Sequence, residues 1–195
     1  MRGLILAGGR SSRMGVDKAL LEINGLTLLE IAVLNLNKSG IESIHVLVKN
    51  RKQADTYRTI LDRSVSFHLD PLDTKGPWEA LVAMLQQLDG EEIVQLLPVD
   101  TPWFDNIAIG LLQQQMELLP ELDGVLPVNE HGSHPLLAQF RSGKILECLL
   151  SQPPQSLRSL FEQINLQAVV AEDFHQAGCH PNCLWNLNYP EDLAK

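Results

Sequence analysis

The sequence lacks long apolar runs, is poor in aromatic residues and carries no excess of positive charge. No stretch approaches the roughly 18 uninterrupted apolar residues that a transmembrane helix needs. Aromatic residues make up 5% of the chain, and the formal net charge is −9. A uniformly acidic surface repels nucleic acid and anionic membranes, and few aromatic residues are available to stack on single strands. These absences argue against nucleic acid or a membrane as a partner.

Cysteine is also scarce. The 195-residue chain has 3 cysteines, an odd number, and its N-terminal apolar run is too short for a signal peptide. We therefore expect a cytoplasmic protein without a disulfide framework. The linker-like stretch at residues 152–155 is too short to separate domains, so residues 1–195 are expected to form one domain.

Short apolar runs alternate with longer amphipathic stretches along the chain. The pattern predicts strands at residues 3–6, 43–48, 65–69, 92–97, 124–128 and 136–140. It predicts helices at residues 27–39, 52–61, 77–88, 106–119 and 157–164. Such alternation indicates an α/β fold built from βαβ units, with a mostly parallel sheet covered by helices on both faces. Ligands bind beyond the carboxyl ends of the strands in sheets of this kind.

The first predicted strand leads into a glycine-rich, basic loop. Gly8 and Gly9 let the backbone approach a ligand closely, and N–H groups exposed there can bind anions. Arg10, Arg13 and Lys18 add cations within a chain of net charge −9, which binding of a triphosphate would explain. The loop lacks the Gly-x-Gly-x-x-Gly pattern and the Gly-Lys-Ser/Thr ending of the commonest nucleotide loops. A solvated surface turn is the alternative, which the position directly after a buried strand disfavours.

The loop reads Leu-Ala-Gly-Gly-Arg-Ser-Ser-Arg-Met-Gly-Val-Asp-Lys, which resembles the signature of the molybdenum cofactor guanylyltransferases. Members of this family transfer GMP from GTP to molybdopterin. Their fold is a Rossmann-like three-layer sandwich with a mostly parallel central sheet, of the nucleotide-diphospho-sugar transferase type. The resemblance implies that part of the nucleotide site is formed by Leu6, Ala7, Gly8 and Gly9.

The same resemblance assigns charged residues to the reaction. It implies that Arg13 and Lys18 neutralise the triphosphate and the charge that develops during transfer, with Arg10 as a weaker candidate. Asp100, in Pro-Val-Asp-Thr-Pro just past the fourth predicted strand, matches the family's Mg²⁺-binding aspartate. A carboxylate there points into the expected crevice and can hold Mg²⁺ together with phosphate oxygens and waters. Alternatively Asp100 caps the next helix, a role for which Asp105 is better placed.

Two further polar residues follow predicted strands on the same rim. The resemblance implies that Asn50 and Asp70 bind the guanine nucleotide, and an aspartate can accept two hydrogen bonds from the guanine edge. The alternative for each is a turn-forming role, which is common for Asn and Asp. The sequence departs from the family at Trp78 and Glu79, which replace small residues after Gly-Pro and could reshape the nucleotide site.

The C-terminal stretch Asn-Leu-Asn-Tyr-Pro-Glu-Asp-Leu resembles the family's Asn-x-Asn-x-Pro-Glu ending. It implies that Asn186 and Asn188 face molybdopterin, and in an extended segment both would project to one side. A structural corner that leads into a helix is an equally weighted alternative. His134 also matches a family segment and could touch a phosphate, although a lone histidine is more often structural.

Other functions stay open at this stage. A cytidylyltransferase, a sugar-nucleotide synthetase or a non-catalytic nucleotide-binding regulator would share much of this pattern. A zinc site is a less favoured alternative for four clustered residues, because their spacing does not match the usual paired pattern: His175, Cys179, His180 and Cys183. The resemblance further implies Mg²⁺ as cofactor, GTP and molybdopterin as substrates, and protein partners that deliver molybdopterin or accept the product.

Overall fold

The computed structural model describes residues 1–7, 17–61, 64–69, 78–151, 157–187 and 192. The strands are β1 Arg2–Leu6, β2 Glu22–Ile23, β3 Leu26–Thr27, β4 Ser43–Val48, β5 Val65–Leu69, β6 Ile93–Pro98, β7 Gly124–Asn129, β8 Gly132–Ser133, β9 Gln139–Arg141 and β10 Leu166–Val170. The α-helices are α1 Leu28–Lys38, α2 Arg51–Tyr57, α3 Trp78–Leu85, α4 Asn106–Leu118, α5 Ser142–Ser151, α6 Leu157–Phe161 and α7 Ala171–Gln176. Short 3-10 helices span Lys18–Leu20 and Pro135–Leu137.

One large sheet carries most of the strands. Its order is β10-β7-β9-β6-β1-β4-β5, and β8 pairs with β7. β1 is parallel to both β4 and β6, β4 is parallel to β5, and β7 is parallel to β10. β9 is antiparallel to its neighbours β6 and β7. The predicted, mostly parallel α/β sheet is therefore confirmed, with β9 as an antiparallel insertion.

Helices cover both faces of this sheet. Alternate residues of a strand point to opposite faces, so Leu4 and Ile5 of β1 belong to two different hydrophobic clusters. The cluster that contains Ile5 is packed by α1, α2, α4 and α7, and the one that contains Leu4 is packed by α3, α5 and α6. This gives the three layers that the sequence predicted. Among the described residues, no helix has the length and apolar character needed to cross a membrane.

Local signals in the sequence explain where α1 starts and stops. Thr27 Oγ accepts a hydrogen bond from the Glu30 N–H at 3.2 Å, and the Glu30 carboxylate accepts one from the Thr27 N–H at 2.8 Å. This reciprocal capping box satisfies two N–H groups at the helix start. Gly40 follows the helix with φ of +76°, a left-handed conformation that favours glycine. The predicted end of the helix at Gly40 is confirmed.

The order in which the chain adds strands to the sheet changes direction at β1. The chain runs from β1 to β4 and β5 on one side, and then places β6 on the other side of β1. A crevice forms at such a switch point, beyond the carboxyl ends of the two strands that flank it. Here those strands are β1 and β6. Val99, which follows β6, donates a 3.4 Å hydrogen bond from its N–H to the carbonyl of Leu6, the last residue of β1.

Some sequence predictions need correction. The strand predicted at residues 136–140 is wrong in its first half, because Pro135 starts a 3-10 turn and β9 spans Gln139–Arg141. The helix predicted at 52–61 ends earlier, at Tyr57. β10, α7 and α5 were not predicted. In α5 the obstacle is Gly143, a poor helix former that the packing requires because a Cβ there would lie 2.9 Å from the Gly90 carbonyl oxygen.

Candidate active site

Lys18 and Asp100 meet at the switch point. The Nζ atom of Lys18 lies 3.2 Å from Oδ2 of Asp100 and donates a second hydrogen bond, of 2.8 Å, to the carbonyl oxygen of Leu187. The side chains of Lys18 and Asp100 are 20% and 23% exposed. The structure therefore brings together two residues that sequence reasoning placed in the site, and it leaves both accessible to a ligand.

The segment after β6 presents Asp100 without using it as a helix cap. The cap of α4 is Asp105, whose Oδ1 accepts hydrogen bonds from the Ile107 and Ala108 N–H groups at 3.0 and 3.1 Å. This confirms the expectation that Asp105 is the better placed cap. The carboxylate of Asp100 instead faces Lys18 in the crevice.

Asp17 anchors the end of the glycine-rich loop, a role that sequence reasoning missed. Its two carboxylate oxygens each lie 2.9 Å from the Tyr57 hydroxyl, which donates to them. The Gln53 Nε2 amide donates a further hydrogen bond of 3.0 Å, and the Ala19 N–H donates one of 3.2 Å. Asp17 thus caps the short helix that carries Lys18 and ties it to α2. The adjacent Asp-Lys pair was visible in the sequence, but its partners on α2 were not.

Tyr57 is suited to this role because it stays protonated. Burial, followed by the negative charge of Asp17, raises the pKa of Tyr57 well above its ordinary value. The ring is fully buried in the core, so its hydroxyl approaches Asp17 from a fixed position. A buried hydroxyl beside a carboxylate is a charge-assisted donor, which is stronger than a neutral one.

Asn50 acts as the N-cap of α2. Its Oδ1 accepts a 2.9 Å hydrogen bond from the Gln53 N–H, which starts the helix that holds Gln53 and Tyr57. This is the local, turn-forming role that was the alternative for Asn50. The side chain is exposed on the rim, so contact with a nucleotide stays a prediction.

Some of the other predicted site residues lie in the described part of the chain, and some lie outside it. Ala7 is buried at the end of β1, where its N–H donates to the Leu47 carbonyl at 3.1 Å, and Leu6 is the last residue of the strand. The described residues do not include Gly8, Gly9, Arg10, Arg13, Asp70 and Asn188. The side chains of Trp78 and Glu79, at the start of α3, also lie outside the described part.

The C-terminal segment contacts both Lys18 and Asp100 through the backbone of Leu187. The Leu187 N–H donates a 2.7 Å hydrogen bond to the Asp100 carbonyl, and the Leu187 carbonyl accepts from Lys18. Leu187 is fully buried, and Asn186 precedes it directly. The segment that was expected to face molybdopterin is thus tied by its backbone to both predicted catalytic residues. This link joins positions too far apart in the chain for any local pattern to reveal.

His134 lies on the same rim, next to β8. Burial, followed by the nearby His131, lowers the pKa of His134, which favours the neutral ring. Its Nε2 is buried and has no hydrogen-bond partner within the described ranges. A phosphate contact by His134 stays a prediction.

The cysteines near the C-terminus belong to the core. Cys179 and Cys183 are buried in the hydrophobic cluster that contains Ile5. Burial, followed by the proximity of Cys183, raises the pKa of Cys179 to about 12, and burial raises the pKa of Cys183 to about 11. Thiols of this kind resist forming the thiolate that binds zinc. The part of the chain that the structure describes contains no group of three or more potential metal ligands.

Mg²⁺ fits this donor set only together with a nucleotide. Asp100 offers a partly exposed carboxylate at the crevice, whereas the oxygens of Asp17 are occupied by Tyr57, Gln53 and a backbone N–H. One carboxylate completed by substrate phosphates and waters is a common way to hold Mg²⁺. The residues present are therefore compatible with a metal that arrives with the triphosphate.

Comparison with known proteins identifies relatives along nearly the whole chain. The family described as "MobA-like NTP transferase domain" matches residues 3–169. A probable molybdenum cofactor guanylyltransferase of Methanothermobacter thermautotrophicus is 30% identical over 192 residues, which cover 97% of this chain and 95% of the relative. A protein of the same description from Synechococcus elongatus is 38% identical over 144 residues, 71% of this chain and 70% of the relative.

Solved structures share the fold. Molybdopterin-guanine dinucleotide biosynthesis protein A from Archaeoglobus fulgidus superposes with a TM-score of 0.75 at 20% identity, covering 100% of this chain and 95% of that chain. CMP:2-keto-3-deoxy-manno-octonic acid synthetase, solved with CTP, gives a TM-score of 0.69 at 16% identity over 98% of this chain and 94% of that one. These likenesses confirm the nucleotidyltransferase fold, which alone does not decide the base or the acceptor.

Proposed function

Because the chain belongs to the MobA-like NTP transferase family, we propose that it transfers GMP from GTP to molybdopterin and releases pyrophosphate, forming the molybdopterin guanine dinucleotide cofactor. The observation that carries the proposal is the meeting of Lys18 and Asp100 at the switch point of the sheet, 3.2 Å apart and partly exposed. A cation and a carboxylate at this position are what a metal-nucleotide substrate requires. Residues 1–195 would act as a single nucleotidyltransferase domain.

The reaction needs little acid-base chemistry from the protein. The terminal phosphate of molybdopterin attacks the α-phosphorus of GTP, a new P–O bond forms, and the bond to the β-phosphate oxygen breaks as pyrophosphate leaves. A phosphate nucleophile is already ionised near pH 7. Positioning of the two substrates and neutralisation of their charge are then the main contributions of the protein.

Lys18 is equipped to contact the triphosphate. A lysine ammonium has three N–H donors, and contacts with Asp100 and Leu187 account for two of them within the described residues. The third can be donated to a phosphate oxygen. Arg13 and, more weakly, Arg10 would add charge from the glycine-rich loop.

Asp100 would hold Mg²⁺. When bound, Mg²⁺ supplies positive charge that offsets the charge of the phosphates. Asp17, Gln53 and Tyr57 keep Lys18 in place, and the backbone of Leu187 fixes the distance between Lys18 and Asp100. Asn50, Asp70, Leu6, Ala7, Gly8 and Gly9 would form the nucleotide side, and Asn186 and Asn188 the molybdopterin side. Proteins that deliver molybdopterin or accept the product are expected partners.

A cytidylyltransferase is the second candidate, since the fold is shared with a synthetase that was solved with CTP. Calorimetric binding of GTP, CTP and ATP, each with Mg²⁺, separates the two. We expect selective binding of GTP, which weakens at least tenfold in Lys18→Ala, about 1.4 kcal/mol, and also weakens in Asp70→Ala. Lys144→Ala is the matched control, because this exposed lysine on α5 follows β9 at the opposite end of the sheet.

Each result of this experiment has a defined meaning. A preference for CTP would retain the chemistry and reject the guanylyl assignment. Equal weakening by Lys144→Ala would show that Lys18 contributes only general charge. No binding of any triphosphate would reject the proposed function as a whole.

A further inference from the structure

The ammonium of Lys18 is held beside Asp100 by groups of the protein itself. Its Nζ lies 3.2 Å from Asp100 Oδ2 and donates a 2.8 Å hydrogen bond to the Leu187 carbonyl. The Leu187 N–H donates in turn to the Asp100 carbonyl at 2.7 Å. Lys18, Asp100 and Leu187 thus form a closed set of contacts that keeps the positive charge against the carboxylate.

The backbone that carries Lys18 is fixed as well. Asp17, directly before it, accepts hydrogen bonds from the Tyr57 hydroxyl at 2.9 Å and from the Ala19 N–H at 3.2 Å. Tyr57 is fully buried, so this support comes from the core. With its backbone anchored at one end and its Nζ bonded to a carbonyl at the other, Lys18 has little freedom to move away from Asp100.

A positive charge fixed at this place opposes the binding of a metal ion to Asp100. Like charges at such short range repel each other, and partial burial of the two side chains reduces screening by water and salt. One carboxylate is a weak ligand for Mg²⁺ without substrate phosphates. The part of the chain that the structure describes has no cluster of three potential metal ligands that would outweigh the repulsion.

A triphosphate reverses this balance of charge. It carries several negative charges, and its oxygens can accept hydrogen bonds from an ammonium and also coordinate Mg²⁺. The repulsion between Lys18 and the metal is then offset by the attraction of both to the phosphates. The same lysine that opposes the metal alone therefore favours the metal together with a nucleotide.

We propose that Lys18 keeps Mg²⁺ from binding to Asp100 until a nucleoside triphosphate is present, so that metal and nucleotide enter the site together. The nucleotide part of this inference rests on the proposed function, whereas exclusion of the metal by Lys18 depends on neither the base nor the acceptor. The coupling between the two ligands is reciprocal, because each changes the affinity for the other by the same factor.

The test is titration of the nucleotide-free protein with Mg²⁺ alone, at constant ionic strength, followed by the backbone amide NMR shifts of Asp100 and Thr101. Lys18→Met removes the charge and keeps a long side chain. We expect it to lower the Kd for Mg²⁺ at Asp100 about tenfold, or about 1.4 kcal/mol. Lys18→Gln, which keeps a donor for the Leu187 carbonyl, should give a gain of the same size.

Lys144→Met is the matched control. It makes the same change in net charge at an exposed lysine whose partner is Glu147, at 3.4 Å. Its Kd for Mg²⁺ should stay within about twofold of wild type, or 0.4 kcal/mol. Calorimetry with GTP and Mg²⁺ supplies the opposite sign, since Lys18→Met should weaken that binding about tenfold or more. A site damaged by misfolding would weaken both.

The outcomes separate this inference from the proposed function. A Kd for Mg²⁺ alone that is unchanged or raised in Lys18→Met and Lys18→Gln overturns it. Equal gains in Lys18→Met and Lys144→Met also overturn it, because they would reflect net charge alone. So does a gain that persists when Asp100→Asn is added to Lys18→Met, since the metal would then bind elsewhere. Wild-type protein that binds no GTP with Mg²⁺ rejects the proposed function, whereas a gain in the titration with Mg²⁺ alone would still support exclusion of the metal by Lys18.

Discussion

Two ion pairs lie at opposite ends of the central strands. At the carboxyl end, Lys18 and Asp100 are 3.2 Å apart with side chains that are 20% and 23% exposed. At the amino end, the Nε of Arg2 lies 2.7 Å from Glu92, and these side chains are 32% and 20% exposed. Burial is therefore similar in the two pairs, and burial alone would assign them the same role.

The two pairs differ in their position in the sheet and in the partners that they hold. The Arg2 guanidinium also contacts Ser43 Oγ at 3.3 Å and His45 Nε2 at 3.2 Å, so it joins three neighbouring strands at their start. Lys18 lies at the switch point of the sheet, and its partners are Asp100 and the Leu187 carbonyl just beyond the strand ends, where ligands bind in sheets of this kind. A pair that joins the starts of neighbouring strands stabilises the fold, whereas a pair at the switch point lies where a substrate binds.

Removal of one carboxylate from each pair tests this contrast with the largest expected effect. We expect Asp100→Asn to lower kcat/KM about 100- to 1000-fold, comparable to the loss of one preorganised donor in an oxyanion site. Its melting temperature should stay near that of wild type. Glu92→Gln is the matched control and should retain transfer activity. Its unfolding free energy should fall by about 1 kcal/mol, or about 2–4 °C in melting temperature for a chain of this size.

Guanylyl transfer assays and thermal unfolding of both variants supply the measurements. An inactive Glu92→Gln, or an Asp100→Asn that turns over normally with Mg²⁺, would remove the distinction between the two pairs.

The Asp17 anchor gives the next largest effect. Tyr57→Phe keeps the buried ring but removes the hydroxyl that donates to both Asp17 oxygens. A hydrogen bond to a charged group contributes about 1.5–3 kcal/mol, so stability should fall by a similar amount. Lys18 then loses part of its support, and we expect KM for GTP to rise about tenfold, or about 1.4 kcal/mol.

Phe67→Leu is the matched control for Tyr57→Phe. The ring of Phe67 contacts that of Tyr57, with centroids 6.5 Å apart, and it carries no hydrogen bond to Asp17. We expect this variant to lose stability without a change in KM for GTP. Equal KM values in both variants and wild type, measured by initial rates at varied GTP, would show that the Asp17 anchor is structural only.

The sequence was informative where the chemistry is local. The loop pattern, the strand ends and the cap at Asp105 follow from neighbouring residues, so the sequence alone was enough to assign Lys18 and Asp100 to one crevice. The contacts of Asp17 with Tyr57 and of Lys18 with Leu187 join residues far apart in the chain, and no periodicity encodes them. The helix α5 was missed for a related reason, because the glycine in its first turn is explained only by its packing against Gly90.

The hydrogen bonds that join Arg2, His45 and His68 at the amino end of the strands form a network. This network predicts a smaller, pH-dependent effect on stability. Arginine only donates hydrogen bonds, so His45 Nε2 must accept from Arg2. His45 Nδ1 then carries the hydrogen and donates to His68 Nε2 at 2.7 Å. The network thus requires a neutral His45. Burial, followed by the adjacent His68 and Arg2, lowers the pKa of His45 to about 4, and burial lowers the pKa of His68.

The resulting stability change has a definite sign. Between pH 6.5, the ordinary pKa of histidine, and about pH 4, the unfolded chain takes up a proton at His45 that the folded chain does not. The free energy of unfolding should therefore fall as pH decreases through this window, and this contribution should end below about pH 4. Chemical denaturation of wild type and His45→Gln at several pH values isolates the contribution of His45, because carboxylates contribute equally to the stability of both proteins. We expect a steeper loss in wild type, with His131→Gln, an exposed histidine, as the control. Parallel profiles for wild type and His45→Gln would mean that these contacts accept a charged His45, and the structural role assigned to the amino-end pair would lose this support.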